Sequence, residues 1–146
     1  MNIFFGTDGW RAHIDTEINE ETVSVVAQAF ADFIHQDYKE KSPCVALAYD
    51  TRKNSQLFAT TFAEVLSGNR IQVLLSDRIA PTPVLSYATL HLNCCAGVMI
   101  TASHNPPSYN GIKFIAVRRS VLLGRHTKNR AIFICIASST IYFPHT

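Results

Sequence analysis

The stretch Val98-Met99-Ile100-Thr101-Ala102-Ser103-His104-Asn105-Pro106-Pro107-Ser108-Tyr109-Asn110-Gly111-Ile112-Lys113-Phe114 decides how this chain is read. It opens with an apolar, partly β-branched run, the pattern of a buried strand. Polar side chains and two prolines across residues 101–107 end that strand. In an open α/β sheet, ligands bind in the crevice beyond the carboxyl ends of the strands. Ser103 therefore stands where such folds do their chemistry. Asn110-Gly111 predicts a tight turn, and residues 112–117 alternate into a second strand with Lys113 near its start. A serine, a histidine and a lysine are thus brought to one crevice.

Upstream, helix and strand signals alternate. Asn19 is a good N-cap, and Glu20 and Glu21 suit the positive end of a helix. Val23, Val26, Ala27, Phe30, Phe33 and Ile34 recur at helical spacing, and the helix should end near Tyr38. Val45-Ala46-Leu47-Ala48-Tyr49 reads as a buried strand. Ser55 is placed to cap the next helix, one face of which holds Leu57, Phe58, Thr61, Phe62, Val65 and Leu66, and Gly68 to close it. Residues 71–75 form another strand, Pro81-Thr82-Pro83 leads into a short helix to about Leu92, and 97–100 is the strand that delivers Ser103. This order predicts an α/β fold of three layers, α/β/α. Its mixed sheet is mainly parallel with helices on both faces, and the last strand runs antiparallel at an edge.

Two shorter features are ambiguous by themselves. Gly6-Thr7-Asp8-Gly9 with Arg11 at its exit is either a plain turn or a loop whose amides and guanidinium face an anion. Asp50 and Arg52 alone read as a surface ion pair worth under ~1 kcal/mol.

Composition narrows the class. No run approaches the ~20 apolar residues of a membrane helix. The first residues lack the basic region and cleavage pattern of a signal peptide, so a cytoplasmic location is expected. Cys44, Cys94, Cys95 and Cys135 show neither Cys-x-x-Cys nor zinc spacing, and Cys94 and Cys95 read as reduced core residues. The net charge of +2 hides an asymmetry. Through Phe114 there are 8 basic against 11 acidic residues, a net −3. Beyond it stand Arg118, Arg119, Arg125, Lys128 and Arg130 and no acid. These basic residues are not interleaved with aromatics, so neither a nucleic-acid nor a membrane partner is expected. Composition changes abruptly after Phe114. Residues 115–146 read as a divergent basic and apolar tail, frameshifted or truncated, whose run 131–137 is β-prone and uncharged.

Thr101-Ala102-Ser103-His104-Asn105-Pro106 followed by Tyr109-Asn110-Gly111-Ile112-Lys113 resembles the active-site serine loop of the α-D-phosphohexomutases, the phosphoglucomutase/phosphomannomutase group. Phe5-Gly6-Thr7-Asp8-Gly9-Trp10-Arg11 and Asp50-Thr51-Arg52 match the same family in the same order. The resemblance covers about residues 2–114 and implies domain I of a four-domain enzyme of carbohydrate metabolism. That enzyme is an isomerase acting as an intramolecular phosphotransferase, moving a phosphoryl group between C1 and C6 of a hexose through a phosphoserine. Carried over by motif, Ser103 would hold the phosphoryl group, which would also give the metal its one ligand from this domain. Lys113 would be the general acid/base, His104 and Arg11 would stabilise developing charge, Asn105 would orient the loop, and Arg52 would make the site's floor positive. The resemblance further implies Mg2+ as cofactor, a hexose 1,6-bisphosphate activator and a hexose phosphate substrate. The family's carboxylate loop for the metal lies in domain II and has no counterpart here, so this chain alone is expected to be inactive. A serine hydrolase fits poorly: Thr101 and Asn105 stand where Gly-x-Ser-x-Gly needs glycines. A non-catalytic remnant that binds phosphate or a partner is the other reading.

Overall fold

The computed structural model of the chain describes residues 3–6, 9–39 and 42–116. The first helix, α1 (Glu20–Asp37), begins where the sequence places it. Asn19 Oδ1 accepts from the Thr22 amide at 3.0 Å, and the Asn19 amide donates to Thr22 Oγ1 at 3.0 Å. This reciprocal pair satisfies amides that the first helical turn leaves without partners. Of the predicted stripe, Val23, Val26, Ala27, Phe30 and Ile34 are buried, and Phe33 is partly buried against the same core.

Five strands form one sheet: β1 (Trp10–His13), β2 (Cys44–Tyr49), β3 (Gln72–Leu75), β4 (Ala96–Ile100) and β5 (Tyr109–Ala116), in the order β1-β5-β4-β2-β3. β2 pairs parallel with β3 and β4, whereas β5 runs antiparallel to both β4 and β1. Four strands therefore share one direction, and β5 alone opposes them. Two expectations are corrected here. β5 is not an edge strand, because β1 folds back to cover it, pairing Trp10 with Ile112 through to His13 with Tyr109. Nor is Asn110-Gly111 a turn. Both residues lie inside β5, held opposite Ala12 and Arg11. The reversal falls earlier, where the Asn105 amide donates to the Ala102 carbonyl and the Tyr109 amide to that of Pro106.

The alternation of β2 divides the interior into two layers. Val45, Leu47 and Tyr49 face the larger core with α1 and α2 (Ser55–Gly68). Ala46 and Ala48 face the smaller core under α3 (Thr82–His91). Helices thus cover both faces, as predicted. Two helix ends differ from the sequence reading. Asn54, in left-handed conformation (φ 65°), takes the N-cap position of α2, while the Ser55 hydroxyl donates to Asp50 instead of capping. Gly68 is the last residue of α2, and the left-handed residue that follows is Arg70 (φ 61°). Among the described residues, no helix is long and apolar enough to cross a membrane. Thr7, Asp8 and the predicted tail beyond residue 116 lie outside the described residues.

Candidate active site

Ser103 follows the carboxyl end of β4 and is exposed, with φ at 53°. A left-handed serine costs of order 1–3 kcal/mol and persists only when its surroundings fix it. Both flanking peptides are fixed. The Ser103 amide donates to Thr101 Oγ1 at 3.0 Å, and its carbonyl accepts from Arg52 Nη2 at 2.9 Å.

Arg52 holds the whole loop from beneath. Nη2 also donates to the Asn105 carbonyl at 2.6 Å, and Nη1 donates to the carbonyls of Pro106 at 2.8 Å and Tyr109 at 2.9 Å. Its Nε lies 3.6 Å from Asp50 Oδ2. A guanidinium has five N–H groups, and here four serve the loop while the fifth faces a carboxylate. Arg52 therefore has no donor left over, and its part here is to hold the loop from beneath. Asp50–Arg52 is not an isolated surface pair, since their side chains are only 24% and 14% exposed. Asp50 Oδ1 accepts from the Arg52 amide and Ser55 Oγ, and Oδ2 accepts from Thr101 Oγ1 at 2.6 Å.

Asn110 completes this base. Fully buried, it donates through Nδ2 to Ser55 Oγ and the Lys53 carbonyl, and Oδ1 accepts from the Gly111 amide. It thus ties the start of α2 to β5.

Lys113 and Arg11 come from neighbouring strands. Ile112 and Phe114 are buried in the larger core, as are Trp10 and Ala12, so the alternating residues Lys113 and Arg11 face the other side of the sheet. Arg11 sits opposite Gly111 and Lys113 opposite Met99, which places the two cations diagonally on one face. Each is half-buried, and neither has a hydrogen-bond or ion-pair partner among the described residues. Glycines make this approach possible. At Gly9 (φ 109°) a Cβ would overlap the Ile112 carbonyl oxygen and lie 3.0 Å from Lys113 Cα. Gly6 and Gly9 exchange backbone hydrogen bonds of 3.1 and 3.3 Å, closing the amino-terminal loop beside β5. His104 is exposed and Asn105 half-buried; the structure places both on the loop with Ser103.

The described residues contain no group of three His, Cys, Asp or Glu able to hold a metal ion. Asp50, the carboxylate behind the loop, has both oxygens committed to the three donors above. The residues present thus do not fit a complete magnesium site.

A doubly covered α/β sheet with a serine loop at a strand's carboxyl end places Ser103 where ligands bind in such folds, and the fold by itself does not fix the chemistry. Comparison with known proteins gives the family. The family described as phosphoglucomutase/phosphomannomutase, alpha/beta/alpha domain I, matches residues 2–129, and the chain belongs to this family. It is 45% identical over 112 residues to a phosphoglucomutase of Staphylococcus epidermidis, covering 75% of this chain and 20% of that protein. It is 44% identical over 96 residues to a Haemophilus influenzae protein assigned as a phosphomannomutase, covering 66% of this chain and 19% of that one. Among solved structures, a Thermus thermophilus protein assigned as a phosphomannomutase superposes with a TM-score of 0.74 at 36% identity, over 80% of this chain and 26% of that one. The chain spans about a fifth of the length of these curated relatives.

Asp50 and Thr101 stand in the sequence motifs of the site, but the sequence gives Thr101 no role and nothing in it pairs the two residues, whose hydrogen bond joins the ends of β2 and β4.

Proposed function

We propose that this chain is the catalytic-serine domain of a hexose-phosphate mutase, with Ser103 as the residue that carries the phosphoryl group. The observation that carries the reading is the exposed, left-handed Ser103 at the carboxyl end of β4, with Arg11 and Lys113 on one face of the adjoining strands. In the transfer, a sugar hydroxyl attacks the phosphorus of phosphoserine. The new P–O bond forms as the Ser103 Oγ–P bond breaks, and Lys113 takes the hydroxyl proton and returns it to the Ser103 Oγ that leaves. Arg11 and His104 offset the charge that develops on the phosphoryl oxygens, as preorganised donors do. Asn105 helps to shape the loop. Mg2+, when bound, supplies charge neutralisation, with its remaining ligands from outside the described residues. The substrate is a hexose phosphate, its 1,6-bisphosphate the activator, and the setting cytoplasmic metabolism.

The test is incubation of the chain with glucose 1,6-bisphosphate and Mg2+, followed by mass analysis of the Ser103 peptide, with Ser103→Ala as control. One phosphoryl group on Ser103, absent from the variant, supports the reading. An unmodified Ser103 in a folded sample removes it. A non-catalytic phosphate-binding module is the second reading, favoured by the two cations Arg11 and Lys113 on one face of the sheet. The division at residue 114 is likewise a proposal: if another reading frame of the coding DNA continues the family pattern beyond Phe114, the tail is a lesion.

A further inference from the structure

We propose that Thr101, oriented by Asp50, is a positioning residue that sets the conformation of Ser103. This rests on the reading of Ser103 as phosphoryl carrier. Thr101 is buried at the end of β4, its amide bonded to the Gly111 carbonyl. Its hydroxyl has one proton to give and lone pairs with which to accept. Asp50 Oδ2 can only accept, so at 2.6 Å it claims the Thr101 proton and fixes the rotor. The oxygen left facing the loop is then an acceptor, and the Ser103 amide donates to it at 3.0 Å.

The relay runs Ser103 N–H to Thr101 Oγ1, and Thr101 O–H to Asp50 Oδ2. Arg52 holds the other side of the same residue through the Ser103 carbonyl, and its own amide is bonded to Asp50 Oδ1. One carboxylate thus anchors both restraints on Ser103. Hydrogen bonds to charged groups are the stronger ones, and both restraints end on such a group, as the persistence of a left-handed serine requires. Without the relay, Ser103 relaxes toward ordinary backbone angles and its hydroxyl is reoriented. A displacement of that kind is costly in a site built on alignment.

The experiment compares full-length wild type, Thr101→Val and Thr101→Ser. Valine keeps the shape and loses the hydroxyl; serine keeps the hydroxyl and loses the methyl. Amide hydrogen exchange at Ser103 is read beside exchange in β2 and β4, together with the rate of Ser103 phosphorylation by glucose 1,6-bisphosphate. Thr101→Val is expected to raise Ser103 amide exchange at least tenfold, with core amides unchanged, and to slow phosphorylation at least tenfold. Thr101→Ser is expected to keep both near wild type. Wild-type behaviour in the valine variant, or loss in the serine variant, overturns the proposal in favour of a packing role for the methyl. If Thr101→Val does not fold, the serine variant decides by the same criterion. If wild type takes up no phosphate, the mutase reading fails, and the exchange measurement still decides whether Thr101 holds Ser103.

Discussion

Phe114 stacks on Phe30 with ring centroids 4.5 Å apart and planes 3° from parallel. Phe5 also stacks on Phe114 at 5.3 Å, and Phe62 tilts against it at 6.3 Å. The strand that carries Lys113 is thereby anchored through its next residue to α1, α2 and the amino-terminal segment. Phe114→Ala is expected to destabilise the fold by ~3–5 kcal/mol through lost burial and the cavity left behind. The shift in urea midpoint measures this, and Phe114→Leu should lose less because it fills part of the space.

Gly111 is a second point where β5 is fixed, by absence of a side chain. A Cβ there would overlap the Trp10 carbonyl oxygen and lie 2.9 Å from that of Thr101. Both contacts are backbone and cannot rotate aside. Gly111→Ala is expected to cost at least ~1–3 kcal/mol by forcing β1 and β5 apart. Gly68, with nothing within 4 Å of its would-be Cβ, is the control. Gly68→Ala should raise stability by ~0.4–1 kcal/mol, by restricting the unfolded chain. Thermal midpoints of the two variants should therefore move in opposite directions.

How far the sequence could be read follows from which signals are local. The α1 stripe and the Asn19 cap depend on residues within one or two turns, and both were correct. Serine at 55 carries a cap signal as well, but Asp50 and buried Asn110 engage its hydroxyl instead. Asn110-Gly111 carries the strongest short-range turn signal in the chain. It fails because β1, far earlier in the chain, supplies an antiparallel partner for both residues. The loop motif pointed to Ser103, and strand alternation placed Lys113. The restraints on Ser103 came from Asp50, Arg52 and Thr101, and the Asp50–Thr101 bond spans 51 residues. Nothing local reveals such a bond.

Lys113 offers a separation of function from stability. Its side chain has no hydrogen-bond or ion-pair partner among the described residues, so Lys113→Met, which keeps an apolar stem, should change stability by no more than ~0.5 kcal/mol. Loss of a general acid/base should nonetheless slow phosphoryl transfer to Ser103 by ~10²–10⁴-fold. Arg52→Ala differs, because four loop carbonyls lose their donor at once. That variant should lose both transfer and loop protection. Denaturation curves and transfer rates on the same preparations separate the two patterns.

Cys94 gives the fold a specific alkaline weakness. Its thiol is buried 3.3 Å from Cys44 Sγ, and burial, reinforced by the bond to Cys44, pushes it up to about 12. In the unfolded chain a cysteine titrates near ~8.5. Between these values the unfolded state has lost the proton that the folded state keeps. Stability is therefore fully present below about pH 8.5 and falls as pH rises toward 12, by at most ~1.4 kcal/mol per pH unit. Lysines and tyrosines titrate in the same range, so the relevant quantity is the difference between wild type and Cys94→Ala. Urea midpoints at pH 8 and pH 10 should show wild type losing more stability than the variant. Equal losses would mean that the Cys94 thiol ionises as freely in the folded chain as in the unfolded one. Alkylation supplies an independent reading: at pH 8 iodoacetamide should modify Cys94 at least tenfold more slowly in the folded protein than in urea, because the thiolate is the reacting species.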